Sequence, residues 1–256
     1  YDVADIVMIT PDSTHPRLTE EGRHNVFRLI GRDDRQGAIG AERIIAAWPG
    51  RRIAVLDDGS TYGAGLAGAV RRGLERRDAN LALAARYVPD RAAYPDLVQR
   101  LDAADVDVLY VAGYGPDAGR IIADARARGL TLELVGGDGL GMHEFWTVAG
   151  RAGEGAIFSS VAGIPRTPPP GEVDAPDRTA LRLFEGGGSG AYAAVQLWRQ
   201  AVERAGAADL ARVEPVLRRG RFETLRGTVA FDDKGDLEGA AWTWQVWRNG
   251  RIEPLD

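Results

Sequence analysis

The chain has 256 residues, enough for one large or two small domains, and its 45% apolar and 27% charged residues are the balance of an ordinary globular protein. A net charge of −5 offers no basic surface for nucleic acid or an anionic membrane, and the apolar runs fall short of the roughly 20 residues that span a bilayer. With no cysteine, disulfides, thiol nucleophiles and Cys-based metal sites are excluded.

In chain order, Ile6–Thr10 predicts a short buried strand, closed by Pro11–Pro16, a loop with exposed hydroxyls and backbone N–H groups. Asn25–Ile30 predicts a second strand and Arg32–Arg35 a polar connection. Gln36–Trp48 predicts a helix through Ile39, Ile44, Ile45 and Trp48. Arg52–Leu56 is the next strand, Asp57–Gly63 its turn, and Gly65–Arg77 a helix with Leu66, Val70 and Leu74 on one face. Leu81–Val88 predicts a strand and Tyr94–Ala103 a helix.

The stretch from Asp105 to Gly139 is a βαβ unit. Val106–Val111 is a nearly continuous apolar run, as expected of a strand buried on both faces. Gly113-Tyr114-Gly115 breaks it, Pro116 suits a first helical turn, and Gly129 stops the helix. A second run, Leu130–Val135, ends in Gly136-Gly137-Asp138-Gly139. Ligands in open α/β sheets bind at the carboxyl ends of strands, so Tyr114 and Asp138 are candidate site residues. Phe145–Ala149 predicts a short helix and Ala156–Val161 a strand. Strands and helices thus alternate from Gln36 to Val161, which implies a parallel sheet with right-handed crossovers.

After that the rhythm changes. Pro165–Pro176 predicts an irregular connection, Arg178–Glu185 a short helix and Gly186–Gly190 a flexible linker. Ala191–Ala205 and Asp209–Arg219 predict helices, Gly227–Phe231 a strand, and Asp232–Asp236 a solvated hairpin turn without the closing Glu of a calcium loop. Ala241–Trp247 predicts a strand with Trp242, Trp244 and Val246 on its sheltered face, and Asn249-Gly250 a tight turn.

Gly63–Gly68 satisfies G-x-G-x-x-G, which would suit an NAD(P)-binding enzyme. The six residues between strand and first glycine, two of them acidic, argue instead for a small-residue helix face packed on the sheet. His15, His24 and His143 lack metal-ligand spacing, and nothing points to a cofactor or to catalysis. The Thr10–His15 loop, Tyr62, Tyr114 and Asp138 remain. Hydroxyls and N–H groups suit a carboxylate, an unpaired acid suits an ammonium, and tyrosine rings suit an apolar body. Together they describe either an amino-acid pocket or ordinary turn chemistry.

Asp5–Thr19 (DIVMITPDSTHPRLT) and Phe27–Gly37 (FRLIGRDDRQG) resemble the branched-chain amino-acid binding proteins of ABC importers. Arg52–Asp58 with Thr61–Ala67, then Tyr110–Gly115, Gly136–Gly139 and Phe231–Asp236, continue the match in the family's order. The resemblance implies a type I periplasmic-binding fold, two α/β lobes with a ligand closed between them, and no catalysis. It divides the chain into residues 1–32 and 164–238, part of a first lobe lacking its N-terminal strands, and residues 33–163 and 239–256, a complete Rossmann-like second lobe. By motif position, Asp12, Ser13 and Thr14 would take the ligand's α-carboxylate and part of its ammonium, and Tyr62 would line the cleft. Tyr114 would cover the ligand and Asp138 would pair with its α-ammonium. The implied partners are an apolar amino acid and a membrane permease, with a second copy as the possible source of the absent strands. The implied location is the periplasm, although the first residues carry no signal-peptide pattern. A ligand-sensing regulator with the same cleft is the alternative.

Overall fold

The computed structural model describes residues 1–161 and 188–255. In chain order its elements begin with β1 (Met8–Thr10), α1 (Arg17–Glu20), β2 (Val26–Arg28), α2 (Asp33–Ala47), β3 (Ile53–Asp57) and α3 (Thr61–Glu75). Next come β4 (Leu81–Arg86), α4 (Pro95–Ala103), β5 (Val108–Ala112), α5 (Gly115–Ala127), β6 (Glu133–Gly136), α6 (His143–Ala149) and β7 (Ile157–Val161). Beyond residue 187 follow α7 (Ser189–Ala205), α8 (Leu210–Arg219), β8 (Phe222–Thr224), β9 (Gly227–Val229), β10 (Trp242–Arg248) and β11 (Arg251–Pro254). They fall into two compact units: unit 1 is residues 1–32 and 161–241, unit 2 residues 33–160 and 242–256.

Unit 2 holds a seven-stranded sheet in the order β11-β10-β7-β6-β5-β3-β4. Strands β4, β3, β5, β6 and β7 are mutually parallel, and the β10–β11 hairpin closes one edge. Asn249 and Gly250 join that hairpin with φ of 49° and 76°, the left-handed pair of a tight primed turn. All five residues of β5 are buried, which is why the run reads as continuously apolar. On one face Leu109, Val111, Ile121, Ile122, Phe145, Phe158 and Trp247 form a core; on the other Ile44, Val55, Leu66, Val70, Leu74 and Tyr110 do.

Helices α2 and α3 lie side by side, and two glycines set their approach. A Cβ on Gly37 would come within 2.4 Å of Ala69 Cβ, and one on Gly73 within 2.5 Å of Ala41 Cβ. Both helices start earlier than periodicity implies. Asp33 and Asp34, read as part of a polar connection, form the first turn of α2, where carboxylates suit the positive helix end. Ser60, read as turn, caps α3 by accepting from Gly63 N at 2.9 Å, so Thr61 and Tyr62 are helical.

In unit 1, β1 and β2 pair in parallel, Met8 opposite Val26 and Thr10 opposite Arg28. Helices α7 and α8 and the β8–β9 hairpin bury Leu197, Val213, Leu217 and Phe222 against Phe27, Leu29 and Phe231. Two expectations are corrected here. Gly188–Gly190 is no linker: Ser189 and Gly190 are buried in the first turn of α7, where a Cβ on Gly190 would meet Pro11 Cβ at 2.8 Å. The rest of that glycine stretch, with Pro165–Pro176 and Arg178–Glu185, lies outside the described residues.

The second concerns the Asp232–Asp236 turn, whose solvated reading fails at its last residue. Asp236 is buried, and its Oδ1 accepts from Arg28 Nε at 2.8 Å, Arg28 Nη2 at 2.6 Å and Thr19 Oγ1 at 2.9 Å. Arg32 Nη1 donates to Oδ2 at 2.9 Å. An acid in a polar turn looks solvent-facing unless its partners, over 200 positions away, are known to be buried beside it.

Candidate functional site

The strand order reverses direction in unit 2. From β3 the chain passes through α3 to β4 on one side, then through α4 to β5 on the other side of β3. This is a topological switch point, and the carboxyl ends of the strands beside it are where open α/β sheets bind ligands. Three of the expected residues stand there: Tyr62 in the first turn of α3, Tyr114 between β5 and α5, and Asp138 two residues past β6.

Asp138 is the centre of the cluster. Its Oδ1 accepts from Tyr62 Oη at 2.8 Å and from Gln36 Nε2 at 3.0 Å. Gln36 Nε2 also donates to Ser159 Oγ at 3.0 Å, and Tyr62 Oη accepts from Gly139 N at 3.2 Å. The rings of Tyr62 and Tyr114 lie 5.5 Å apart, tilted by 39°, and Tyr114 is 47% exposed. Two glycines make this approach possible: a Cβ on Gly137 would sit 2.6 Å from Tyr62 Oη, and one on Gly139 2.4 Å from Gly113 O.

The electrostatics follow from burial. Asp138 has its carboxyl pushed above the ordinary range by burial, which the hydrogen bonds from Gln36 and Tyr62 only partly offset. Tyr62 is held well above its usual range by burial and by the Asp138 charge, and Tyr114 is raised by burial and then by Asp58. All the described donors to Asp138 are neutral, and no cationic side chain among the described residues pairs with it. A partly desolvated carboxylate held only by dipoles has the chemistry to pair with a cation that brings its own N–H groups.

Gln36 and Ser159 escaped the sequence reading. The available signal was a neutral amide on the buried stripe of α2, whose other buried members are Asp33, Gly37, Gly40, Ala41 and Ile44. Ser159, on the fully covered part of β7, carried no such signal.

The Gly63–Gly68 stretch does not form a phosphate cradle. Asp58 Oδ1 accepts from Ser60 N at 2.9 Å and Ser60 Oγ at 2.6 Å, and stands 2.1 Å from where a Gly63 Cβ would be. A carboxylate thus occupies the helix start where a pyrophosphate would sit.

In unit 1 the loop after β1 places Asp12 and Ser13 at the surface, while Thr14 is buried. Ser13 N donates to Thr10 Oγ1 at 3.2 Å. Arg28 Nη1 anchors the loop by donating to Ser13 O at 3.3 Å and His15 O at 2.8 Å. Arg226, also missed from sequence, brings its Nη2 to 4.0 Å from Asp12 Oδ1.

The fold with its strand-end carboxylate defines a ligand-binding module of the α/β class. Comparison with known proteins makes this specific: residues 2–251 match the family model described as "Periplasmic binding protein". The chain belongs to that family, whose members bind substrates and are not enzymes. It is 32% identical over 255 residues to the leucine-, isoleucine-, valine-, threonine- and alanine-binding protein of Pseudomonas aeruginosa, covering 96% of this chain and 66% of that one. With the Leu/Ile/Val-binding protein of Escherichia coli it shares 31% over 244 residues, covering 93% and 65%. The chain therefore spans about two thirds of the length of the curated relatives it matches. Among solved structures, a branched-chain amino-acid ABC transporter protein from Thermus thermophilus with bound valine superposes with a TM-score of 0.83 at 17% identity, covering 100% of this chain and 72% of that one. An ABC transporter substrate-binding protein from Desulfitobacterium hafniense in complex with Leu gives 0.73 at 25% identity, covering 100% and 75%. The fold is the type I periplasmic-binding fold.

Proposed function

We propose that this chain is the substrate-binding component of an ABC importer and captures a small apolar amino acid of the branched-chain type. The observation that carries the reading is Asp138: a half-buried carboxylate at a strand end, held by Gln36 and Tyr62, with no cationic partner among the described residues. An α-ammonium supplies the missing charge. Tyr62 and Tyr114 offer ring faces to an aliphatic side chain. The α-carboxylate falls to the hydroxyls and backbone N–H groups of Asp12, Ser13 and Thr14. The names of the relatives, which bind leucine, isoleucine and valine, support the ligand class.

On this reading the protein works in the periplasm and delivers its ligand to a membrane permease. Unit 2 corresponds to a complete lobe and unit 1 to part of one; in support, its described strands form only the β1–β2 pair and a short hairpin. We further propose that a second copy of the chain pairs beside β1 and β2, a reading supported by the exposed Val3 and Ile6. Titration calorimetry with leucine, valine and phenylalanine tests the function. A saturable heat with at least one is expected; no heat and no thermal shift with any would sink the proposal. Light scattering tests the second copy, since a well-behaved monomer would exclude completion in trans.

A further inference from the structure

Arg226, in the turn between β8 and β9, has a buried side chain whose charge is incompletely answered. The side chain is 9% exposed, and its Nη2 donates to Ser189 Oγ at 3.2 Å. The nearest carboxylate oxygen, Asp12 Oδ1, is 4.0 Å away, at the outer limit of an ion pair. Nε and Nη1 are buried and meet no acceptor among the described residues. Arg28, another buried arginine of unit 1, shows the contrast. Its Nε, Nη1 and Nη2 are all engaged by Asp236, Thr19 and the carbonyls of Ser13 and His15.

A guanidinium keeps its proton in a protein, so unit 1 encloses a cation with two free donor groups. Burial pulls the Arg226 pKa down, and only Asp12 opposes it. The guanidinium also lies against the start of α7. A Cβ on Gly190 would stand 2.8 Å from its Nη2 and 3.0 Å from its Cζ, so the glycine admits it to the helix end. A planar fork with two unpartnered donors, next to a loop of hydroxyls, is the donor set that grips a carboxylate through two parallel bonds.

We propose that Arg226, seated between Asp12 and the first turn of α7, binds the carboxylate of a small organic ligand in unit 1. The assignment rests on the reading that the Asp12–Thr14 loop faces the ligand's carboxylate, and it adds a guanidinium with unpartnered donors beside that loop. Asp12 then steadies the Nη2 side of the fork, and its charge meets Arg226 before it meets the ligand.

The test uses the purified chain, R226M and R226K, with leucine in calorimetry and acetate in thermal melts. Leucine affinity should fall about a hundredfold or more in R226M and less in R226K, which keeps the charge without the fork. Acetate should raise the melting midpoint of the wild type saturably and leave R226M unmoved. Equal leucine affinity in wild type and R226M would overturn the role of Arg226 while leaving the amino-acid function standing. Should the wild type bind no amino acid, that function fails, and acetate alone decides: a rise confined to the wild type supports the site, and an equal or absent rise overturns it. Without ligand, R226M should melt no lower than the wild type, because an incompletely paired buried cation has been exchanged for an apolar chain of similar length. A melt well below wild type would mark Arg226 as structural and also overturn the proposal.

Discussion

Replacing Asp138 with Asn separates binding from stability, because binding should fall steeply while stability barely changes. The amide oxygen of Asn can still accept from Tyr62 Oη and Gln36 Nε2, now at 2.8 and 3.0 Å from Asp138 Oδ1. Each bond loses its charge assistance, about 1 kcal/mol apiece, while the cost of holding a carboxylate in a partly desolvated place is removed. The net change in unfolding free energy should lie within about 1 kcal/mol of zero. Its pH dependence should change more clearly. Burial raises the Asp138 carboxyl above 3.8, so the folded protein holds that proton where the unfolded chain has already released it. The resulting stability is complete below about pH 4 and is lost as pH rises through the raised value, and D138N should flatten that loss. Binding has no such compensation. An α-ammonium without its carboxylate costs about 2–5 kcal/mol, which is about 30-fold to several thousandfold in affinity. Calorimetry with leucine beside urea unfolding measures both quantities on one preparation. Leucine affinity within threefold of wild type, together with a stability loss above about 2 kcal/mol, would show Asp138 to be a structural anchor and refute the reasoning.

Tyr62→Phe removes a hydroxyl that donates to Asp138 and accepts from Gly139 N, and should lower stability by about 1–2 kcal/mol by urea unfolding while keeping the ring contact with Tyr114. Asp236→Ala strands the fully buried Arg28 and should cost about 3–5 kcal/mol. The Asp236 carboxyl is raised by burial, yet the bonds from Arg32 and Arg28 outweigh this and hold it below the ordinary range. Its stability is therefore present above about pH 4 and lost as pH falls through the lowered value, opposite in sign to Asp138, and an acid titration of each variant distinguishes the two. Gly37→Ala should cost about 1–3 kcal/mol through its contacts with Ala69 and the Val70 backbone. Gly68→Ala, which meets only the tip of Arg72 at 3.3 Å, should be neutral or gain up to about 1 kcal/mol in thermal melts.

The alternation from β3 to β7 was legible because a parallel sheet covered on both faces leaves uninterrupted apolar runs such as Val108–Ala112, and helices between them leave a 3.6-residue period. Helix starts were less so: Asp33, Ser60 and Ser189 are polar or small, and caps look like turns until the first helical hydrogen bond is seen. Trp247 shows another limit. It lies on the face of β10 opposite Val246 and both are buried, so the alternation that picked out Trp242, Trp244 and Val246 passed over it.

That Tyr62, Tyr114 and Asp138 lie together at strand ends was legible in the sequence, because each follows a strand by a few residues. The groups that condition them were not. Gln36 reaches Asp138 across 102 positions, and Arg226 reaches Ser189 across 37 and Asp12 across the length of unit 1. Local pattern carries the periodicity of an element, whereas the answer to a buried charge is set by tertiary packing. The two buried arginines make the point. Arg28 and Arg226 are equally anonymous in sequence; one is fully answered by Asp236 and its neighbours, and the other keeps two donors free. Unit 1 satisfies one buried guanidinium with five hydrogen bonds and leaves Nε and Nη1 of the other without partners, and that contrast is the observation on which the proposed carboxylate site rests.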